Sequence, residues 1–227
     1  MLRVFIGYDS REDIAYQVCR DSLIKNSSGL LSVRPIKQNE LRYSGQYWRD
    51  PDMNASTEFS LTRFLVPHLS HYMGWAIFVD CDFLYRGDIM EVMRYADPTK
   101  AVMCVKHNYV PQESTKMDGA TQFIYPRKNW SSFMLFNCSH PDAQNLTLEA
   151  VNTEEPSWLH RMKWVKDENI GELPVTFNYL EGWHKKEDCD NPIAVHFTRG
   201  GPWFEQWQDV EYGEEWIKAA EEAKRYV

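Results

Sequence analysis

The sequence feature that most constrains the fold is a short apolar run that ends in two carboxylates. Five apolar residues, from Trp75 to Val79, are followed directly by Asp80 and Asp82, which stand one residue apart. An uninterrupted apolar run of this length is typical of a strand buried on both faces of a parallel sheet. Carboxylates at its end would lie at the carboxyl edge of that sheet, where open α/β folds bind their ligands. The run therefore predicts an α/β fold with a candidate site at Asp80 and Asp82.

The two aspartates have the chemistry of a metal site. Side chains alternate in an extended chain, so Asp80 and Asp82 are expected to share a side. Two hard oxygen ligands on one side suit Mg²⁺ or Mn²⁺, ions that usually bridge to substrate phosphates. Asp-x-Asp is a common sequence, however, and the same pair could cap the next turn or form surface ion pairs. The two residues by themselves leave both interpretations open.

The beginning of the chain is typical of a nucleotide-binding α/β domain. A buried strand is predicted from Leu2 to Asp9, and an amphipathic helix follows from about Arg11 to Lys25. Gly7 would let a ligand approach the backbone, Tyr8 could stack on a base, and Asp9 could accept from a base or a ribose hydroxyl. The competing interpretation of Asp9 is a helix cap. The chain has neither a Gly-x-Gly-x-x-Gly nor a P-loop sequence, which disfavours a dinucleotide fold and excludes a P-loop.

A buried cation is predicted before the central apolar run. The residues from Thr57 to Leu69 have the pattern of a helix, with a kink or an end near Val66 because Pro67 cannot continue it. Arg63 lies among the apolar residues of this helix. A largely buried guanidinium needs an anionic partner, so Arg63 is expected to contact a carboxylate such as Asp80 or a phosphate.

The remaining elements follow from apolar patterns of strand or helix length. Before the aspartates, a weaker strand is predicted at 31–36 and a polar loop at 39–54. After them, strands are predicted at 101–105, 130–137 and 193–203, and a long loop at 107–128. The helices predicted in this part are a short one ending near 94, two at 141–151 and 158–166, and a charged one at 212–227. The strand at 130–137 should run beside the strand that ends at the aspartates. At its start, Trp130, Ser131 and Ser132 offer an indole face and two hydroxyls suited to a sugar ring, although Trp130 could simply anchor the core.

Composition limits the classes of function. With 227 residues, 43% of them hydrophobic, the chain suits one large α/β domain. A net charge of −8 argues against a general nucleic-acid binder. Five cysteines without a CxxC spacing indicate a reducing compartment and no structural zinc. The chain opens directly into a strand and has no apolar run of about 18 residues, so we expect no signal peptide, no transmembrane helix and a cytoplasmic location.

Taken together and in order, several stretches resemble the glycosyltransferases of the GT-A fold. The similarity is greatest to family 8, the glycogenin and lipopolysaccharide galactosyltransferase type. The matching stretches are Val4 to Asp9, Ser60 to Phe64, Phe78 to Asp82, Gly87 to Ile89, Leu173-Pro174, Phe177 to Tyr179, His196-Phe197 and Gly201 to Trp203. The resemblance implies a single GT-A domain over 1–227, with a mostly parallel central sheet flanked by helices. Its parts would be a nucleotide-binding half at 1–105, an acceptor and metal-completing half at 106–205, and a C-terminal helix at 206–227.

The resemblance also implies a set of site residues. Asp80, Asp82 and His196 would hold Mn²⁺, or Mg²⁺, which carries the diphosphate of a nucleotide-sugar donor, with a UDP-sugar expected. Asp9 holds the place of the family's nucleotide-contacting acid, and Arg63 matches the arginine that contacts the donor. The full nucleotide-binding set implied in this way is Gly7, Tyr8, Asp9, Arg63, Asp80, Cys81, Arg199, Gly200 and Gly201.

Three departures from the family pattern affect the contacts with the diphosphate, the donor sugar and the acceptor. Gly201 stands where the family has a lysine that contacts the diphosphate, and Arg199 is the nearby cation. The family's Asp-Gln-Asp is replaced around Glu155-Pro156-Ser157, and its Asn-x-Gly near Trp130-Ser131-Ser132. Glu155 holds the place of the first of those acids and is a catalytic candidate. The family retains the anomeric configuration; for inversion, the candidate bases are Glu155, Asp118 and Glu181.

The sequence therefore favours a metal-dependent glycosyltransferase with a glycan or other hydroxyl acceptor. The departures leave two alternatives, a nucleotide-sugar binding module without turnover and a sugar nucleotidyltransferase. Additional domains or peripheral membrane contact are open possibilities for partners. The loop at 107–128 and the Gly200-Gly201 turn are predicted to become ordered on donor binding and exclude water from the sugar.

Overall fold

A six-stranded mixed sheet forms the centre of the protein. The computed structural model describes residues 1–50, 55–109 and 126–224. Within these residues the strand order is β2-β1-β3-β6-β5-β7. The strands of this sheet are β1 (Leu2–Gly7), β2 (Leu31–Ile36), β3 (Trp75–Val79), β5 (Val102–Cys104), β6 (Phe133–Asn137) and β7 (Ile170–Glu172).

The predicted apolar run is strand β3, and it lies in the middle of this sheet. It pairs in parallel with β1 on one side and antiparallel with β6 on the other. Its residues from Ala76 to Val79 are completely buried, because helices and loops cover both faces of the sheet. Three of the five strand pairings in the described part of this six-stranded sheet are parallel, which confirms the predicted mostly parallel α/β fold.

A second, small sheet brings a late histidine to the end of β3. It has the order β4-β9-β8 and is formed by β4 (Phe83–Tyr85), β8 (Tyr179–Leu180) and β9 (Ala194–His196). Strand β4 starts directly after Asp82, and its first residue, Phe83, pairs with His196. This pairing sets His196 beside the two aspartates, although a large part of the chain separates them in sequence.

The helices surround the sheets and are shorter than the sequence pattern predicted. They are α1 (Asp13–Lys25), α2 (Gln38–Tyr43), α3 (Val66–Leu69), α4 (Leu148–Thr153), α5 (Pro156–His160) and α6 (Gly213–Ala223), with short 3-10 turns between them. The helix predicted for 57–69 is divided into a 3-10 turn at Thr62–Leu65 and α3. Pro67 explains the division, because it is tolerated only in the first turn of an α-helix.

Two apolar cores hold the elements together. The main core lies on the six-stranded sheet and includes the buried rings of Phe64, Phe78 and Phe133. A smaller core lies between α1, the second sheet and α6, where Trp216 and Ala220 of α6 are buried. The predicted C-terminal helix is therefore present and docks its apolar face. Among the described residues, no helix combines the length and apolar character needed to cross a membrane.

Candidate metal and nucleotide-sugar site

The turn that carries the two aspartates is fixed by backbone hydrogen bonds on both sides. The amide of Asp80 donates to the carbonyl of Ser132 (2.9 Å), and the amide of Phe197 donates to the carbonyl of Asp82 (3.0 Å). Between them, the thiol of Cys81 is buried and lies 3.7 Å from Glu12 Oε2. Asp80 and Asp82 face the same side, as predicted, since both converge with His196; the turn at Cys81 and Asp82 gives this arrangement, and not a continued strand.

Asp80, Asp82 and His196 converge at the end of β3. One ligand atom from each lies within 4.8 Å of the others, and Asp82 Oδ2 is 3.2 Å from His196 Nε2. An octahedral divalent ion with bonds of about 2.1 Å places neighbouring ligands about 3 Å apart. Two carboxylates and an imidazole therefore fit an ion such as Mn²⁺ with a modest approach of Asp80. The structure brings together the three predicted metal ligands.

The ring of His196 is held from two directions. Its Nδ1 is 3.0 Å from Oδ1 of the buried Asn178. The ring stacks on Phe83, with 4.4 Å between ring centroids and 16° between ring planes. These contacts direct Nε2 towards Asp82 and leave the ring little freedom to rotate.

Arg63 is buried and paired with one carboxylate of the candidate metal site. Its Nη1 lies 2.8 Å from Asp80 Oδ1 and donates to the carbonyl of Ser131 at 2.9 Å. Its Nε donates to the carbonyl of Ser60, and its guanidinium carbon lies 5.0 Å from the ring centre of Phe78. The predicted anionic partner of Arg63 was a carboxylate such as Asp80 or a phosphate, and in the structure Arg63 contacts the carboxylate of Asp80.

A cavity of about 320 Å³ opens over this cluster. Its volume is at the lower end of the range typical of small-molecule sites. Six of the predicted site residues line it, namely Arg63, Asp80, Asp82, Ser131, Ser132 and His196. The structure also places in its wall polar residues to which the sequence assigned no role, including Glu12, Lys128, Asn129, His160, Arg161 and Thr198.

His160 is one of these additional residues, and its environment shifts its pKa strongly. Its Nε2 lies 3.3 Å from Ser60 Oγ and its Nδ1 lies 3.4 Å from Ser131 Oγ. Removal from solvent, together with the nearby Arg63 guanidinium, lowers the pKa of His160 to about 3. The ring is therefore neutral at physiological pH. No sequence motif distinguished it, because a histidine at the end of a short helix has many ordinary roles.

The charges of the described cavity wall balance before any ion is bound. The cations are Arg63, Lys128 and Arg161, and the carboxylates are Glu12, Asp80 and Asp82. Lys128 is itself buried. A divalent ion would leave an excess of two positive charges, which favours an anionic ligand such as a diphosphate.

The residues predicted to contact the nucleotide base have well-defined structural partners. The buried Asp9 accepts hydrogen bonds from the backbone amide and guanidinium of Arg11 and from the amide of Glu58, and it caps the 3-10 turn at Ser10–Glu12. Burial would raise the pKa of Asp9, but the hydrogen bonds from Arg11 and from the amide of Glu58 together lower it. The capping interpretation therefore applies to Asp9, and its nucleotide contact stays a prediction.

The neighbours of Asp9 are also committed to local contacts. The Tyr8 hydroxyl donates to Asp13 Oδ1 at 2.8 Å, and this bond is the main reason that the pKa of Tyr8 rises to about 12. A Cβ added at Gly7 would lie 2.4 Å from the ring of Phe59. Gly7 thus gives room to Phe59, and the part of its surface facing that ring is not available to a ligand.

Arg199, Gly200 and Gly201 follow β9. Arg199 Nη2 lies 3.0 Å from Oε2 of the buried Glu181, and its guanidinium carbon is 5.1 Å from the ring centre of Trp207. The amide of Gly200 donates to the carbonyl of Phe197, which forms the predicted turn. These residues are absent from the described cavity wall, and their contact with a diphosphate stays a prediction.

On the predicted acceptor side, the structure separates Trp130 from the two serines. Ser131 and Ser132 are buried in the cavity wall, in a 3-10 turn that leads into β6. Trp130 Nε1 donates to the carbonyl of His107 at 2.9 Å, and the guanidinium of Arg127 lies over its ring at 5.4 Å. Trp130 is thus an anchor between loops, and Ser131 and Ser132 are the better placed of the three.

The candidate bases occupy different environments. Glu155 is exposed at the start of α5, while the next two residues, Pro156 and Ser157, line the cavity. Glu181 is buried against Arg199, and burial raises the pKa of Glu181. Asp118, and most of the loop predicted at 107–128, lie outside the described residues.

The fold matches that of several solved glycosyltransferases, although no family model matches the chain. The bifunctional glycosyltransferase WbbM superposes with a TM-score of 0.67 at 15% identity, over 96% of this chain and 49% of that one. GlyE of Streptococcus pneumoniae TIGR4 gives 0.63 at 14% identity, over 96% of this chain and 60% of that one. The galactosyltransferase LgtC, solved with donor and acceptor sugar analogues, gives 0.60 at 11% identity, over 97% and 96% of the two chains.

These likenesses show that the chain has the GT-A fold, and a closer relative shows its family. Protein CDI of Arabidopsis thaliana is 53% identical over 223 residues, which make up 97% of this chain and 86% of that protein. The chain belongs to the family of Protein CDI.

Proposed function

We propose that this chain is a metal-dependent glycosyltransferase that takes its sugar from a nucleoside-diphosphate sugar. The proposed donor is a UDP-sugar, the proposed ion is Mn²⁺ or Mg²⁺, and the acceptor is a hydroxyl of a glycan. The GT-A fold supports the class of reaction, and the cavity at the end of β3 is the proposed site. The chain is proposed to act as one GT-A domain in the cytoplasm.

The observation that carries this proposal is the approach of His196 Nε2 to Asp82 Oδ2 at 3.2 Å, with Asp80 beside them. Asn178 Oδ1 accepts a hydrogen bond, so the proton of a neutral His196 belongs on Nδ1. Nε2 and the carboxylate then face each other with two lone pairs, an arrangement that becomes favourable when they share a proton or a metal ion. A divalent ion meets this requirement and uses the full donor set of the cluster.

The chain's own residues would divide the work of binding and orientation. Asp80, Asp82 and His196 would hold the ion, which when bound neutralises charge on the departing diphosphate. Arg63 fixes the carboxylate of Asp80 and closes the base of the cavity. Lys128 adds a cation to the cavity wall, and it would supply positive charge in place of the family 8 lysine that Gly201 replaces.

The acceptor would approach the side of the cavity formed by Ser131 and Ser132. Their hydroxyls can exchange hydrogen bonds with a sugar, and His160, neutral at working pH, can orient them without adding charge. Retention of the anomeric configuration is the outcome that the family 8 resemblance favours. Glu12 is the one carboxylate of the described wall outside the metal group, so it joins Glu155 and Glu181 as a residue to substitute if the product is inverted.

Nucleotide release measured on a donor panel tests the proposed function. UDP-, GDP- and dTDP-sugars would be incubated with the protein in Mn²⁺ or in EDTA, and the first-formed product would be examined by proton NMR. We expect release from a UDP-sugar that requires the metal and is lost in Asp82→Asn. Asp21→Asn, which removes a carboxylate outside the cavity, is the matched control and should retain wild-type turnover.

Three results would contradict the proposal, each in a different way. Equal turnover in Mn²⁺ and in EDTA would show that the reaction does not require a metal ion. Tight binding of a donor without nucleotide release under any condition would indicate a binding module. Pyrophosphate formation from a nucleoside triphosphate and a sugar phosphate would indicate a nucleotidyltransferase.

A further inference from the structure

The buried Asn178 lies directly behind the metal-facing histidine. It belongs to the Phe177-Asn178-Tyr179 stretch, in which no residue was assigned an individual role from the sequence. Its side chain is completely buried, yet both of its polar atoms have partners. Oδ1 lies 3.0 Å from His196 Nδ1, and Nδ2 donates to Ser132 Oγ at 2.9 Å. Buried amides with two specific side-chain partners generally fix the orientation of those partners.

The direction of this hydrogen-bond chain is set at its far end. Ser132 Oγ lies 2.7 Å from the backbone carbonyl of Asn129, which can only accept. The Ser132 hydroxyl proton is therefore used there, and Ser132 Oγ must accept from Asn178 Nδ2. The amide of Asn178 then has only its oxygen to offer to His196, and that oxygen requires a proton on Nδ1. A backbone carbonyl thus determines the protonated nitrogen of the ring.

We infer that Asn178 is a positioning residue that holds His196 as the Nδ1–H tautomer, with the Nε2 lone pair directed at the metal site. This inference rests on the proposed function, because it assumes that Nε2 binds an ion. Outer hydrogen-bond partners of metal-bound histidines contribute roughly 10–100-fold to metal affinity. The chain also links the proposed metal ligand to Ser132, so the metal side and the acceptor side of the cavity share one rigid network.

Two substitutions at Asn178 separate positioning from simple packing. Asn178→Leu keeps the approximate volume but removes both hydrogen bonds. Asn178→Asp keeps an oxygen acceptor for Nδ1, loses the donation to Ser132 and adds a buried negative charge beside the ring, as in the carboxylate–histidine–metal arrangements of other proteins. The control is Asn152→Leu, since Asn152 is also buried and bonded through both polar atoms but lies outside the cavity wall.

The experiment combines three measurements on the full chain. Long-range proton–nitrogen NMR of the metal-free protein reports which nitrogen of neutral His196 carries the proton, with His196→Gln used for assignment. Free Mn²⁺ measured by EPR gives the metal affinity without nucleotide, and thermal unfolding in EDTA gives the stability. We expect the Nδ1–H tautomer, Mn²⁺ affinity reduced about 10–100-fold in Asn178→Leu, and near wild-type affinity in Asn178→Asp. Asn152→Leu should unfold at a lower temperature and bind Mn²⁺ like the wild type.

The outcomes distinguish the inference from the proposed function. A neutral ring protonated on Nε2, unchanged Mn²⁺ affinity in Asn178→Leu, or an equal loss in Asn178→Asp would overturn the inference. If Asn178→Leu does not fold, the tautomer of the wild type and the affinity of Asn178→Asp decide. A wild type that shows the Nδ1–H tautomer but binds no Mn²⁺, with or without UDP, would support the hydrogen-bond chain and contradict the proposed function.

Discussion

At the scale of single residues, the site depends on charges that are buried and paired. Arg63 is 6% exposed and satisfies Asp80 and two backbone carbonyls at once. Desolvating such ions is costly, so the pair need not stabilise the fold by itself, but removing one partner leaves the other uncompensated. Arg63 thus determines where the Asp80 carboxylate lies before any ligand arrives.

Arg63→Met should lower the free energy of unfolding by about 3 kcal/mol, because the Asp80 side chain, which is only 14% exposed, would lose its cation. The control is Arg20→Met, which breaks the ion pair between the half-exposed Arg20 and Asp21. It should change the free energy of unfolding by less than about 1 kcal/mol. Urea denaturation of both variants at neutral pH makes the comparison. A loss in Arg63→Met no larger than in Arg20→Met would contradict the role given to the buried pair.

His160 gives the protein a stability that depends on pH. Its pKa is about 3 in the folded protein, below the usual value of about 6.5 for an unfolded chain. The unfolded state therefore takes up a proton first, and stability falls as the pH drops from about 6.5 towards about 3. Between pH 7 and about pH 5, the wild type should lose about 2 kcal/mol more than His160→Gln.

Urea denaturation at the two pH values measures this difference for the wild type and for His160→Gln. His71→Asn is the control, because it removes an exposed imidazole and asparagine tolerates the left-handed backbone at that position (φ 54°). The control should follow the wild type. Identical acid losses in the wild type and His160→Gln would show that His160 is not held neutral.

At the scale of elements, the structure depends on a close contact between the turn after β8 and the residues after β9. Gly182 has φ +71°, and a Cβ at this position would lie 1.9 Å from Arg199 Nη2. The guanidinium of Arg199 therefore lies directly over Gly182, where it reaches the buried Glu181. This contact secures the chain immediately after His196.

Gly182→Ala should lower the free energy of unfolding by about 1–2 kcal/mol, because alanine is strained in the left-handed backbone conformation. It should lower it further by displacing Arg199 from Glu181. Gly45→Ala is a matched control, since Gly45 has φ +69° and no heavy atom within 4 Å of the added Cβ. The control should lose only the strain contribution. Equal losses of unfolding free energy in the two variants would mean that the contact with Arg199 contributes nothing.

The elements that could be predicted are those whose pattern is unambiguous. Strand β3 and helix α1 follow from an apolar run and from a 3.6-residue period, and the structure confirms them. The predicted loop at 39–54 contains α2, because its polar sequence gave little apolar period from which to predict a helix. The helix predicted over 57–69 is wrong in length, since Pro67 and 3-10 geometry divide it.

The site could be predicted in part for the same reason. Asp80 and Asp82 are separated by one residue, so the alternation of an extended chain predicts that they share a side. His196 needed the resemblance, because only the β4–β9 pairing brings it to Asp82. Lys128 and His160 carry no recognisable motif, and Asn178 lies in a stretch that resembles the family but has no predicted role. The positions of all three depend on long-range packing that a single sequence does not display.

At the scale of the whole molecule, residues from both sheets form one candidate site, and its described wall contains equal numbers of cationic and anionic side chains. The large sheet supplies the aspartates from β3 and the serines before β6, and the small sheet supplies His196 from β9. The cavity therefore lies where the two sheets meet, and its described wall has no net charge until a divalent ion is added. The central claim is that this ion makes the cavity a diphosphate site.

Titration calorimetry of UDP into the protein tests that claim most directly. We expect UDP to bind in Mn²⁺, to lose at least about tenfold in affinity in EDTA, and to lose a similar factor in Asp82→Asn even with Mn²⁺ present. Equal UDP affinity in Mn²⁺ and in EDTA, or an Asp82→Asn variant that binds UDP as tightly as the wild type, would contradict it.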